Sequence, residues 1–172
     1  MGCVMTQDEA IVHTAEAKRN GRRVAFTYGC FDLLHPGHIR RLEHTRTLAD
    51  TLIVGINSDA AMRAQEGESR PPVPQEERAE ILCALQAVDA VVVFEWHTLR
   101  DLIARLSPDV LVPGGDEGSG EFIGAESVEG AGGRVVLIPT VPGYSISAIL
   151  RRIREPDGKD EALSSPGGHN KK

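Results

Sequence analysis

The chain is poor in cysteine, has no long apolar run and carries no excess of positive charge, and each shortage removes a class of protein. Its 172 residues include three cysteines, Cys3, Cys30 and Cys83, with no C-x-x-C spacing. An odd count without that spacing argues against a disulfide framework or a zinc cluster and fits a reducing cytoplasm. No apolar stretch approaches the roughly 20 residues needed to cross a bilayer, and residues 1–20 lack the apolar centre of a signal peptide. The opening Met1-Gly2-Cys3-Val4-Met5-Thr6 does fit the loose myristoylation pattern, but the string is short and little weight rests on it. A formal net charge of -6 argues against binding along a nucleic-acid backbone, although it leaves room for a local basic pocket for phosphates. Small-molecule partners are therefore expected.

What is present is ordinary globular composition, 41% apolar and 26% charged, in a length that suits one domain with a real core. There is no internal repeat. Short, mostly β-branched runs alternate with helical patterns, the sequence form of a parallel sheet covered on both faces. The expected fold is α/β, a single doubly wound, Rossmann-like sheet of five parallel strands with helices on both faces. Strands are predicted over 24–28, 51–57, 90–94, 109–112 and 134–138, and helices over 9–19, 37–49, 75–87, 98–106 and 145–153. In the second helix Ile39, Leu42 and Leu48 fall on the face expected to meet the sheet. Residues 1–20 read as an N-terminal helical extension, 21–154 as the domain and 155–172, rich in Pro, Gly, Ser and Lys, as a disordered tail. Residues 63–74 and 114–133 break the alternation and read as loops, the places where α/β folds bind ligands.

The richest segment follows the first strand of that domain: Gly29-Cys30-Phe31-Asp32-Leu33-Leu34-His35-Pro36-Gly37-His38. It reads as strand end, tight turn and helix start. Two histidines three apart, with Gly37 between them at a helix N-terminus, gather two imidazoles and several free backbone N–H groups where the helix dipole favours an anion. Pro36 suits the first turn, and Gly37 lets a phosphate approach the backbone. The anion expected is a nucleoside triphosphate. In the plainer reading His35 merely caps the helix and His38 is a solvated surface residue.

The string H-P-G-H resembles the H-x-G-H signature of the nucleotidyltransferase superfamily. Four blocks extend the resemblance over about residues 20–154: F-T-Y-G-C-F-D-L-L-H-P-G-H, L-I-V-G-I-N-S-D from Leu52, S-R-P-P-V-P-Q-E-E-R from Ser69, and P-D-V-L-V-P-G-G-D from Pro108. Together they look like the adenylyltransferases that activate D-glycero-D-manno-heptose 1-phosphate for lipopolysaccharide core synthesis. The resemblance implies transfer of AMP from ATP to a sugar 1-phosphate with release of pyrophosphate. It also implies magnesium with the nucleotide, and a homodimer.

By the same resemblance His35 and His38 are the catalytic pair. Tyr28, Gly29, Cys30, Phe31, Gly37, Arg78, Gly114, Ser145 and Ser147 line the nucleotide, with Asp32 near the phosphates and reaching magnesium through water rather than as a direct ligand. Arg63 and Asp116 meet the acceptor. Each has a plainer reading: Phe31 in the core, Cys30 a buried small hydrophobe, Asp32 capping its turn, Arg78 a surface arginine, Ser145 only a helix cap. The chain also departs from the resembled pattern. Pro113 and Glu66 stand where lysines are usual, and Ile146 replaces the middle Thr of an S-T-T motif, so the acceptor site has two cations fewer than the resembled pattern. Two alternatives stay open: CTP with glycerol 3-phosphate or a similar polyol phosphate, and a nucleotide-binding regulatory module without turnover. A class I aminoacyl-tRNA synthetase shares a similar histidine motif, but this chain is too short and too acidic for one.

Overall fold

A computed structural model describes residues 2–67, 70–114 and 122–154. Six parallel strands form one sheet: β1 (Cys3–Met5), β2 (Val24–Gly29), β3 (Thr51–Asn57), β4 (Ala90–Phe94), β5 (Val110–Val112) and β6 (Arg134–Val135), in the order β1-β4-β3-β2-β5-β6. Helices α1 (Gln7–Arg19), α2 (Pro36–Thr47), α3 (Asp59–Glu66), α4 (Gln75–Cys83), α5 (Leu99–Leu106), α6 (Ala125–Gly130) and α7 (Ile146–Arg154) complete the domain, with a 3-10 turn at Trp96–Thr98.

Alternation along the strands divides the core in two. Val24, Phe26 and Tyr28 join Ile53, Val92 and Phe94 under Ala10 and Ala17 of α1, Leu102 and Ile103 of α5 and Val128 of α6. Ala25, Leu52, Val54, Ile56 and Val91 pack on the opposite face against Leu42 of α2 and Ala79 and Leu82 of α4. Every residue of β3 is buried, as a strand covered on both faces requires.

The sheet holds one strand more than the five expected. β1 lies in the segment read as a helical extension, and pairs with β4 from Cys3 opposite Ala90 to Met5 opposite Val92. Its three residues are too few to show a period. Because Ala10 and Ala17 of α1 are core residues, residues 2–19 are built into the domain. Helix α6 lies in a segment read as loop, and residues 63–66 of α3 lie in the other. Ser58 accepts from the Ala61 N–H at 3.0 Å to cap α3, and Gly67, at φ 97°, ends it. The last strand stops at Val135 rather than 138, and α4 ends at Cys83 rather than 87. Ile39 does not join Leu42 against the sheet; it lines a surface groove with Leu34, Pro36 and Glu43. The tail 155–172 and Asp116 lie outside the described residues.

The order places the switch point beside β2. From β2 the chain moves outward through β3 to β4, then returns to lay β5 and β6 on the other side. In such sheets the crevice beyond the carboxyl ends of the diverging strands is the ligand site.

Candidate active site

Beyond β2 and β5 the two backbone segments run in close contact. A Cβ on Gly114 would lie 1.8 Å from the carbonyl oxygen of Tyr28, so only glycine lets the β5 exit pass the β2 exit. Beyond the end of β2 the backbone turns through Phe31, at φ 47°, a left-handed conformation uncommon outside glycine and concentrated at functional sites. The turn delivers His35 to the N-cap of α2, with Pro36 in the first turn.

His35 and His38 cap one another. The His38 N–H donates to His35 Nδ1 and the His35 N–H donates to His38 Nδ1, both at 3.4 Å. Their rings stack with centroids 3.8 Å apart and planes 14° off parallel. A ring nitrogen that accepts carries no proton, so each neutral ring keeps its proton on Nε2. The plainer reading of His35 as a cap is thus correct and also serves the functional one, because capping sets the tautomer. Burial first, then His35 and the Arg41 guanidinium, push His38 down to about 4, leaving it a neutral donor at pH 7. Gly37 admits this packing: a Cβ there would stand 3.0 Å from the His35 ring and 3.2 Å from Tyr144 Cβ. The Tyr144 ring lies 6.2 Å from that of His35, and the Arg40 guanidinium lies over the Tyr144 ring, 5.3 Å from its centroid.

These groups open on a cleft of about 550 Å³, within the usual range for small-molecule sites. Of the expected nucleotide residues, Tyr28, Gly29, Cys30, Phe31, Gly37, Gly114, Ser145 and Ser147 line it together with both histidines. Ser145 accepts from the Ala148 N–H at 3.1 Å and so starts α7. Two helix N-termini, of α2 and α7, therefore face the same space. Burial, reinforced by Glu66, pushes the Cys30 thiol up to about 11, and its Sγ donates to Glu66 Oε1 at 3.7 Å. It stays a thiol rather than a nucleophilic thiolate.

Three expected site residues are elsewhere. Arg78 is 1% exposed and does not line the cleft. Its guanidinium donates to the carbonyls of Val73 (3.0 Å), Cys30 (2.7 Å) and Asn57 (2.9 Å) and to Asp59 Oδ1 (2.6 Å). It is not a solvated arginine; it ties the ends of β2 and β3 to α3. Asp32 is buried and lies 2.7 Å from Arg70 Nη2, which also meets Glu66 at 3.1 Å. Burial raises its carboxyl despite that cation, and it too stands outside the cleft lining. Arg63 is on the exposed face of α3, away from the cleft.

The structure adds residues that spacing did not single out: Arg41, Asn57, Gln65, Trp96, Thr140 and Tyr144. Arg41 had a signal, three residues after His38 and so on the same helix face. It is the one Arg or Lys among the described lining residues. Among the described residues no group of three or more His, Cys, Asp or Glu is placed to hold a metal ion, and no helix is long and apolar enough to cross a membrane.

The cytidylyltransferase-like family profile matches residues 26–148. The Bifunctional protein HldE of Rhodopseudomonas palustris strain HaA2 is 48% identical over 147 residues, covering 86% of this chain and 30% of that protein. The Bifunctional protein HldE of Pelobacter propionicus is 45% identical over 152 residues, covering 88% and 31%. The chain thus spans about a third of the length of these relatives. A lipopolysaccharide core biosynthesis protein from Thermoplasma volcanium superposes with a TM-score of 0.61 at 24% identity, covering 70% of this chain and 99% of that one, a likeness of fold.

Proposed function

The chain belongs to the cytidylyltransferase-like family, and from that premise we propose that it transfers AMP from ATP to a sugar 1-phosphate of heptose type, releasing pyrophosphate. The observation that carries the reading is the reciprocally capped pair His35 and His38 at the mouth of α2, facing a cleft walled by Gly114 and the start of α7. An acceptor phosphate oxygen forms a bond to the α-phosphorus as the bond to the pyrophosphate oxygen breaks. Little covalent help is needed, and placed charge does the work. The two Nε2–H groups donate to oxygens on which charge grows. Arg41 supplies fixed positive charge beside them, and the first turns of α2 and α7 present backbone N–H groups to the triphosphate.

Magnesium enters this reading as part of the substrate, carried on the triphosphate. The protein offers no cage for it among the described residues, and the Asp32 carboxylate is engaged by Arg70. ATP is favoured over CTP because the four sequence blocks look like those of the heptose 1-phosphate adenylyltransferases. The test is pyrophosphate release from each of the four nucleoside triphosphates with magnesium, across heptose 1-phosphate, other sugar 1-phosphates and glycerol 3-phosphate. Turnover with ATP and a sugar 1-phosphate is expected. Faster turnover with CTP and glycerol 3-phosphate would replace the substrates, and nucleotide binding without turnover would leave a regulatory module.

A further inference from the structure

The cleft has two halves, one on each side of the end of β2. On the β5 side stand Gly114, Thr140, Ser145 and Ser147; on the β3 side stand Asn57, Gln65 of α3 and Trp96, just past β4. Asn57 is the last residue of β3 and is 1% exposed. Its backbone carbonyl accepts from Arg78 Nη2, yet neither Nδ2 nor Oδ1 of its side chain has a hydrogen-bond partner. Buried amides are almost always paired, because leaving both donor and acceptor unmade is costly. An unpaired amide in a cleft wall suits a ligand group that both accepts and donates.

The neighbours narrow the chemistry. Gln65 adds a second amide, and Trp96, 38% exposed, adds an apolar face. Among the described residues no lysine or arginine lines this half beyond Arg41, which stands by His38. Such a set suits a neutral body bearing hydroxyls, with C–H groups against the indole, better than a second phosphate. In-line displacement also requires the acceptor to approach the α-phosphorus opposite the leaving pyrophosphate. With the triphosphate tail at the start of α7, the acceptor side is the β3 side.

We infer that Asn57, together with Gln65 and Trp96, forms the subsite for the hydroxyl-bearing body of the acceptor, with the Asn57 amide reading one hydroxyl as donor and acceptor at once. This rests on the transfer reaction proposed above and assigns its specificity to a residue outside the histidine motif. A site built to bond a hydroxyl rejects the analogue that lacks it, because its own polar groups are then left unpaired.

The test is Asn57→Leu, with Asn57→Ser as a smaller change should the first fail to fold. Kinetics and calorimetric titration use ATP and, as acceptors, mannose 1-phosphate, heptose 1-phosphate and their monodeoxy analogues. The acceptor KM or Kd is expected to rise about tenfold or more while that for ATP moves less than about twofold. Wild type should discriminate against one deoxy analogue, and the variant should not. The melting temperature of Asn57→Leu should hold or rise, since no side-chain bond within the protein is lost. A drop in melting temperature with unchanged acceptor discrimination makes Asn57 structural and overturns the inference, as does a shift in the ATP constant instead, which would assign Asn57 to the base. Loss of acceptor discrimination in titration supports the subsite even if no acceptor turns over, a result that removes only the transfer reaction. Wild type that neither binds nor converts any of these acceptors overturns both.

Discussion

His35 Nδ1 accepts the backbone N–H of His38 while His38 Nδ1 accepts that of His35. One pair of hydrogen bonds thus closes the first turn of a helix and selects the tautomer of both rings. Donors to a reacting phosphate are set before any ligand arrives, which is what preorganised electrostatic catalysis needs.

Removing one ring should therefore separate chemistry from binding. His38→Ala is expected to lower kcat by about 10²–10³ with only a modest change in ATP affinity, the pattern for a donor that strengthens in the transition state. His35→Ala should cost rate and some binding, since it also uncaps α2, at about 1 kcal/mol of stability. Single-turnover kinetics beside isothermal titration read both. Equal losses of affinity and rate in His38→Ala would make it a ground-state contact.

The depressed His38 ring predicts a pH dependence with a definite sign. Its folded pKa is about 4 against an ordinary 6.5, so between these values the unfolded chain takes up the proton and the folded chain does not. Stability is full above pH 6.5 and is lost as pH falls toward 4. His38→Gln should flatten that part of the profile in denaturant titrations at a series of pH values. The acid limb of kcat should likewise lie well below 6.5. An unchanged stability slope in the variant would contradict the burial argument.

Arg41 and Arg63 make opposite predictions about where the cleft keeps its charge. Arg41→Ala should reduce kcat/KM by about tenfold or more, an effect on the order of that for a charged hydrogen bond lost. Arg63→Ala, on the exposed face of α3, should change the acceptor KM by less than about threefold. A larger effect at Arg63 would restore it as the acceptor residue that its place in the sequence suggests.

Arg78 is expected to behave as a strut. Arg78→Met strands the carbonyls of Cys30, Asn57 and Val73 and should cost about 3–5 kcal/mol in denaturant unfolding. Arg78→Lys should recover little of it, because a point charge cannot reproduce the fork. A stable variant with a raised ATP KM would instead make Arg78 a nucleotide contact.

The limits of the sequence reading have physical causes. The turn from Gly29 to His38 was legible because each residue type there answers a local demand: a small residue for close approach, Pro at N1, a side-chain acceptor at the cap. That Arg78 and Asp32 stand outside the cleft lining is not written in their motifs, because a motif fixes where a residue stands in the chain and not which way its side chain leaves the backbone. Both turn away from the cleft, and neighbours far along the chain, Asn57 for one and Arg70 for the other, decide that. Arg63 differs in kind: the sequence from 63 reads as loop, whereas residues 63–66 continue α3 from its Ser58 cap to the Gly67 stop, and Arg63 lies on its exposed face. Asn57 stands in the N-S-D block, but nothing there marks its amide, since an unpaired amide exists only once the fold has buried it. Ile39 fits the period of α2, yet lies over a groove rather than under the helix against a strand.

The short β1 has a bearing on handling the protein. Without Cys3–Met5, β4 would present the open hydrogen-bonding groups of an apolar run, Ala90-Val91-Val92-Val93-Phe94, at the rim of the sheet. Such a rim invites pairing with another chain and seeds aggregates. Gly2 is also seated tightly, since a Cβ there would meet the Val88 carbonyl oxygen at 2.7 Å. Trimming residues ahead of α1, or pulling on them with a tag, would thus compromise solubility before it touched the histidine pair of the cleft.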